Sequence, residues 1–226
     1  MLLKSIRSFE CVLPITIVTA FGPKDNEIRI AIRTHESAYR FIQTMTTNYH
    51  IQLKVLPMET LDAIKTRRSI RKFKPQLISR EIIKELLEAA MFAPSAGNEQ
   101  PWQFVVLDER KILDEVPKIC STASMCRQST TAVLVCGDAT LEKYPGFWVQ
   151  DCSAAVENLL LAAHASGLGA VWAGVYPLKD RVEAFRRLLS LPPEITPFAL
   201  VALGYPDETP PTPERYREEK VHYNGW

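Results

Sequence analysis

Gly167-Leu168-Gly169-Ala170-Val171-Trp172-Ala173-Gly174-Val175-Tyr176-Pro177 decides the fold. A Gly-x-Gly here invites a dinucleotide-binding reading. But the third glycine is missing, and the pair precedes an apolar strand at 170–175, whereas the fingerprint follows one. Gly167 and Gly169 therefore read as a helix stop and a turn. Ala173-Gly174, near the strand end, can bring backbone N–H groups close to a ligand. Upstream, 153–166 is apolar on most sides, as a buried helix is, and Gly167 ends it. Downstream lie an amphipathic helix at 179–189, a strand at 198–203 and a proline-rich polar tail. Further back, Ser79 caps a helix that sets Ile82, Ile83, Leu86, Leu87 and Ala90 on one face and stops before Pro94. Strands follow at 104–107 and 131–136. Periodicity alone predicts an α/β layered domain with a mostly parallel sheet.

The chain has 226 residues, a net charge of +1 and a charged fraction of 23%. That balance argues against bulk electrostatic binding to nucleic acid. No apolar run is long enough for a membrane span. Five cysteines, an odd number without CxxC spacing, support neither zinc nor a disulfide framework and point to a reducing, cytoplasmic setting. Cys136 and Cys152 read as small core residues.

Residues 1–57 differ from the rest. Strands at 13–20, 27–33 and 51–56 with a short helix at 37–45 predict a small ββαβ appendage. A leader reading of 1–21 fits Lys4 and Arg7 but not Glu10 and Pro14. Met58 opens a clean helix at 58–64, so the preceding residues are either an N-terminal extension or a mis-called start.

Two further stretches carry chemistry. Arg67-Arg68-Ser69-Ile70-Arg71-Lys72 gathers three guanidinium groups and a hydroxyl, a match for phosphate; a solvated basic turn is the competing reading. Pro94-Ser95-Ala96-Gly97-Asn98-Glu99-Gln100-Pro101-Trp102 combines small residues with two amides, which suits a flat heterocycle; a plain connecting loop is the alternative, and Trp102 reads as core. His164 reads as a satisfied core or interface histidine. No serine or cysteine shows a base, and no HExxH is present, so hydrolase readings find little support.

These blocks, in order and with the ending Val221-His222-Tyr223-Asn224-Gly225-Trp226, resemble the nitroreductase family of flavin-dependent NAD(P)H oxidoreductases over residues 58–226. The resemblance implies an α+β three-layer fold, a mostly antiparallel sheet wrapped by helices, in place of the parallel one. It implies an intertwined homodimer with FMN at the interface. Arg67 and Ser69 would hold the FMN phosphate with Arg68 beside them, and Arg71 would reach the ribityl chain or the pyrimidine edge. Pro94, Ser95, Asn98 and Gln100 would border the flavin, Asn98 bonding the ring from the same or the neighbouring chain. Trp172, Ala173 and Gly174 would lie over it with a backbone N–H near N5. Arg215 would be the late phosphate residue, with Arg217 as competitor. Ala173 stands where many members carry an acid. No side chain need act as a general acid, and no metal is implied. The implied activity passes hydride from NAD(P)H to a nitroaromatic, quinone or similar acceptor in ping-pong fashion. Alternatives on the same scaffold are a dedicated-substrate enzyme of dehalogenase or dehydrogenase type, for which 120–148 is a short lid, and a non-catalytic flavin-binding protein.

Overall fold

The computed structural model describes residues 16–21, 28–33, 51–55 and 58–226, and the chain divides into two units, Met1–Thr60 and Leu61–Trp226. In the first, β1 (Thr16–Phe21), β2 (Ile28–Arg33) and β3 (Ile51–Val55) form a sheet in that order. β1 and β2 pair antiparallel, and β2 and β3 pair parallel. The three expected strands are there; the helix expected at 37–45 lies outside the described residues.

The second unit is built on β4 (Trp102–Leu107), β5 (Thr131–Asp138), β6 (Gly169–Gly174) and β7 (Ile195–Gly204), in the spatial order β4-β5-β7-β6. Its helices are α1 (Thr60–Thr66), α2 (Arg80–Met91), α3 (Arg110–Ile119), α4 (Trp148–Ala165) and α5 (Lys179–Leu189). Every neighbouring pair of strands is antiparallel, which overturns the parallel sheet that periodicity predicts and agrees with the α+β expectation. The reason lies in the connections. An antiparallel neighbour must begin at the end where its predecessor stopped. Between β4 and β5 the chain goes out along α3 and returns through the 3-10 turns at Ser121–Arg127. A single helix does cross between β5 and β6, namely α4, and those two strands run parallel, but β7 is inserted between them.

Helices cover both faces of the sheet. Ala132, Leu134 and Cys136 of β5 belong to one core, with Leu113 and Val116 of α3 and Phe185 of α5. Val133 and Val135 belong to the other, with Leu86 of α2 and Val156 and Leu159 of α4. β5 is buried on both faces and therefore reads as a continuous apolar run without alternation. Trp102, Cys136 and Cys152 are buried, as expected for core residues. Among the described residues no helix is long and apolar enough to cross a membrane.

The helix expected at 58–64 spans Thr60–Thr66. The Ser79 cap is as expected, its Oγ accepting the Ile82 N–H at 3.3 Å. Helix α4 starts five residues earlier than the expected 153. The N-cap residue Phe147 offers no side-chain acceptor; Glu142 Oε1 instead accepts the N–H groups of Trp148 (3.3 Å), the first helical residue, and of Gly146 (2.7 Å).

Candidate functional site

After α1 the chain runs extended along the outer edge of the sheet. The Ile70 N–H donates to the Ala170 carbonyl at 3.0 Å, and Ser69 pairs with Ala170 in parallel fashion. Lys74 donates to the Tyr205 carbonyl at 2.8 Å and Asp207 to the Lys72 carbonyl at 2.9 Å. Two glycines permit this approach. A Cβ on Gly169 would lie 2.7 Å from Ile70, and one on Gly204 would lie 2.7 Å from Phe73. Ile70 and Phe73 are buried, while Arg71 and Lys72 stay exposed. Glu208 accepts the backbone N–H groups of Arg71 and Lys72.

The guanidinium groups do different things. Arg67 is half-buried, with Nε 3.4 Å from Glu157 Oε1, close enough for an ion pair but without hydrogen-bond geometry; that buried Nε has no hydrogen-bond partner. Arg68 donates to three carbonyls, those of Lys65 (2.8 Å), Pro211 (3.1 Å) and Arg67, and so ties the tail to the basic stretch. Partial desolvation, the charge of Arg215 and the charge of Arg67 all push its pKa down. Arg67 and Arg215 thus bring two further cations close to Arg68. Arg217 instead donates to the Tyr216 carbonyl at 3.2 Å and is exposed.

The same edge carries the 172–174 segment. Residue 170 turns its carbonyl outward to Ile70, so by strand alternation Trp172 and Gly174 also turn their backbone groups away from β7. Arg181, at the start of α5, takes the outward Gly174 carbonyl at 2.7 Å. This residue was not found by sequence reasoning, because its role depends on how α5 doubles back on β6. The Gly174 N–H shares that outward direction, and a Cβ there would meet no protein atom within 4 Å. Ala173 is buried and contributes no polar group. From Ala170 to Gly174 the edge extends about 13 Å.

The amide loop follows α2. Pro94, Asn98 and Gln100 are exposed and Ser95 is half-buried. The Gln100 side chain donates to Asn98 Oδ1 at 2.9 Å, and the Gln100 N–H donates to Ser95 Oγ at 3.0 Å. Asn98 (φ 55°) and Gln100 (φ 50°) both sit in the left-handed region, a cost that neighbouring contacts must offset. Helix α4 holds both halves of the site. Asp151 in its first turn accepts the Ala96 N–H at 3.0 Å, and Glu157 pairs with Arg67. Six residues separate them, about 9 Å along the axis and about a third of a turn around it. One chain therefore assembles the arginine cluster with the β6 edge and presents the amide loop separately, off another side of α4. His164 is satisfied as expected, its Nε2 lying 2.9 Å from Thr66 Oγ1.

Comparison with known proteins gives one answer. The model of the nitroreductase family matches residues 64–124 and 131–205. A Methanothermobacter thermautotrophicus protein named "Putative NADH dehydrogenase/NAD(P)H nitroreductase" is 48% identical over 184 residues, spanning 81% of this chain and 96% of its own. Among solved structures, an FMN-dependent nitroreductase from Clostridium difficile superimposes with a TM-score of 0.69 at 26% identity, covering 74% of this chain and 99% of that one. The NADPH:FMN oxidoreductase of Vibrio harveyi, complexed with NAD+, gives 0.66 at 25% identity over 74% and 77% of the two chains. With three layers, an antiparallel sheet and a matched span that runs from α1 to the end of β7, this chain belongs to the nitroreductase family.

Proposed function

We propose that the chain is an FMN-dependent oxidoreductase that takes hydride from NAD(P)H and delivers it to a small electron acceptor of nitroaromatic or quinone type. The observation that carries this reading is the arginine cluster docked at one end of the open β6 edge. Arg67 and Arg215 both repel Arg68, and a bound dianion would relieve that repulsion. The Gly174 N–H and the unfilled space at its Cα, about 13 Å along the edge, suit a planar ring with an acceptor nitrogen. The residues fit an elongated group with a phosphate at one end and a flat heterocycle at the other, as FMN is.

FMN, when bound, supplies the two-electron hydride chemistry between nicotinamide and acceptor. The chain does the rest. Arg67 and Ser69 hold the phosphate with Arg215, which is favoured over Arg217 by its closeness to Arg68. Arg68 is already engaged with three carbonyls and acts by pinning the tail. Arg71, exposed beside them, would stabilise negative charge on the pyrimidine edge. Ala173 leaves the N5 contact to the Gly174 backbone, while Arg181 fixes that peptide's carbonyl. Pro94, Ser95, Asn98 and Gln100 border the ring, Asn98 and Gln100 offering amides. Their position off another side of α4 suits a site completed by a second copy, so the working unit is a homodimer.

The test is an anaerobic stopped-flow titration of the flavin-loaded protein with NADH and NADPH. Bleaching of the oxidised flavin, followed by recolouring on addition of a nitroaromatic or quinone, supports the reading. No bleaching with either nucleotide makes this a flavin-binding protein without turnover.

A further inference from the structure

The amide loop is held by a pair of carboxyl groups. Glu99 and Asp151 are 6% and 5% exposed. Glu99 Oε2 accepts the N–H groups of Lys143 (2.7 Å) and Tyr144 (3.2 Å). Asp151 Oδ1 accepts the Ala96 N–H. The two remaining oxygens, Glu99 Oε1 and Asp151 Oδ2, are buried and have no donor if both acids are ionised. The two side chains are close enough for each acid to perturb the other directly. Two carboxylates in that position repel each other, whereas one proton between them lets one acid donate to the other in a charge-assisted bond.

We propose that Asp151 carries this proton and is a positioning residue: the Asp151–Glu99 pair clamps the strained loop at 95–100 onto α4 and the segment at 139–148, and loss of the proton at rising pH loosens the loop and weakens cofactor binding. The cofactor half of this inference rests on the function proposed above. The proton half is independent of it and rests on the burial and hydrogen bonding of the two acids.

The asymmetry between the acids has physical causes. Burial raises the Asp151 pKa, as do its bond to Glu99 and the charges of Glu99 and Glu142; a single N–H, from Ala96, opposes them. For Glu99, burial is outweighed by the Lys143 and Tyr144 N–H groups, the Asp151 bond and the Lys143 charge, so its pKa is lowered. Glu142 and Lys143 are the charged side chains facing the pair. Lys143 Nζ also donates to the Gly97 carbonyl at 2.9 Å, so it grips the loop directly. The two acids have opposite linkage. The folded protein keeps a proton on Asp151 that the unfolded chain has released, so its contribution to stability falls as pH rises from the ordinary carboxylate range through the raised pKa. The Glu99 contribution is lost in acid, as pH falls through its lowered pKa.

The experiment uses the full chain with FMN as probe. The thermal midpoint of the flavin-free protein and the FMN dissociation constant are measured from about pH 5 to 9, spanning the range of perturbed carboxyl groups. Variants are D151N, whose amide can accept from Ala96 and donate to Glu99 as the protonated acid does, and D151A, which can do neither. The wild type should lose both thermal stability and FMN affinity as pH rises. D151N should match it at low pH and lack the decline. D151A should bind FMN about tenfold more weakly even at low pH, the scale of a lost hydrogen bond to a charged group. A wild type flat in both readouts, or a D151N that declines in parallel with it, overturns the proposal. If FMN does not bind at any pH while the flavin-free midpoints behave as stated, the shared proton stands and the cofactor reading fails.

Discussion

Gly174 and Arg67 make the sharpest contrast at the scale of single residues. A Cβ on Gly174 meets nothing in the protein, and its φ is ordinary, so Gly174→Ala should leave the flavin-free melting temperature unchanged. It should nonetheless cut FMN affinity or bleaching by NAD(P)H, because the methyl group stands where the ring is proposed to lie; calorimetry and flavin titration read the two effects separately. Arg67→Ala should weaken FMN binding by about 2 kcal/mol, some thirtyfold, through loss of a charge-assisted phosphate contact. Arg68→Ala should instead loosen the tail, visible as faster proteolysis near Pro211, since its guanidinium is engaged with carbonyls. Equal FMN losses at both positions would contradict this division of roles. The basic run reads in the sequence as a candidate anion site, with a solvated turn as the competing reading. Which arginine is taken up by carbonyls is not legible, because those of Lys65 and Pro211 engage Arg68 only once the tail has folded back.

For the elements, the seating of the basic stretch on β6 is what matters. Gly169→Ala drives a methyl group to within 2.7 Å of Ile70 and so pries the 67–74 segment from the edge. Melting temperature and FMN affinity should fall together, unlike in Gly174→Ala, and Gly169→Ala/Ile70→Ala should recover part of both. Unchanged stability in the single variant would show that the segment is not anchored there. The same glycine illustrates how far the sequence could be read. Gly167 as helix stop is correct: its φ is 77° and its N–H donates to the His164 carbonyl. Gly169 reads as a turn residue, yet it is the floor on which Ile70 rests, a long-range demand that local pattern does not encode. Helix α3 was missed for a similar reason. Leu113 and Val116 carry its buried stripe, but charged neighbours and Pro117 in its last turn mask the period. Strand direction was set by the out-and-back connections, which alternation of helix and strand does not reveal. The family resemblance supplied it.

Among the described residues, the most exposed large apolar side chains flank α2 and lie in the tail: Leu77 is 80% exposed, Phe92, just past the helix end, 87%, Tyr223 84% and Trp226 103%. A second copy of the chain covering them would complete the proposed site, and light scattering should report twice the chain mass in the flavin-loaded state. Removal of residues 1–57 should preserve flavin binding and reductase activity, since the matched family span begins at residue 64. A truncation that is soluble but flavin-free would tie the first unit to the site. The open part of the β6 edge, around Gly174, would have to serve donor and acceptor in turn, so initial rates should give parallel double-reciprocal lines. Intersecting lines would point to a second substrate pocket and to an enzyme with a dedicated substrate.

The central claim is that the arginine cluster and the β6 edge hold FMN. The most direct test is to release the bound flavin from purified, FMN-reconstituted protein and identify and count it by chromatography. The account predicts about one FMN per chain, reduced to a small fraction by Arg67→Ala. Released FAD, or no flavin retained by the wild type after reconstitution, would contradict it.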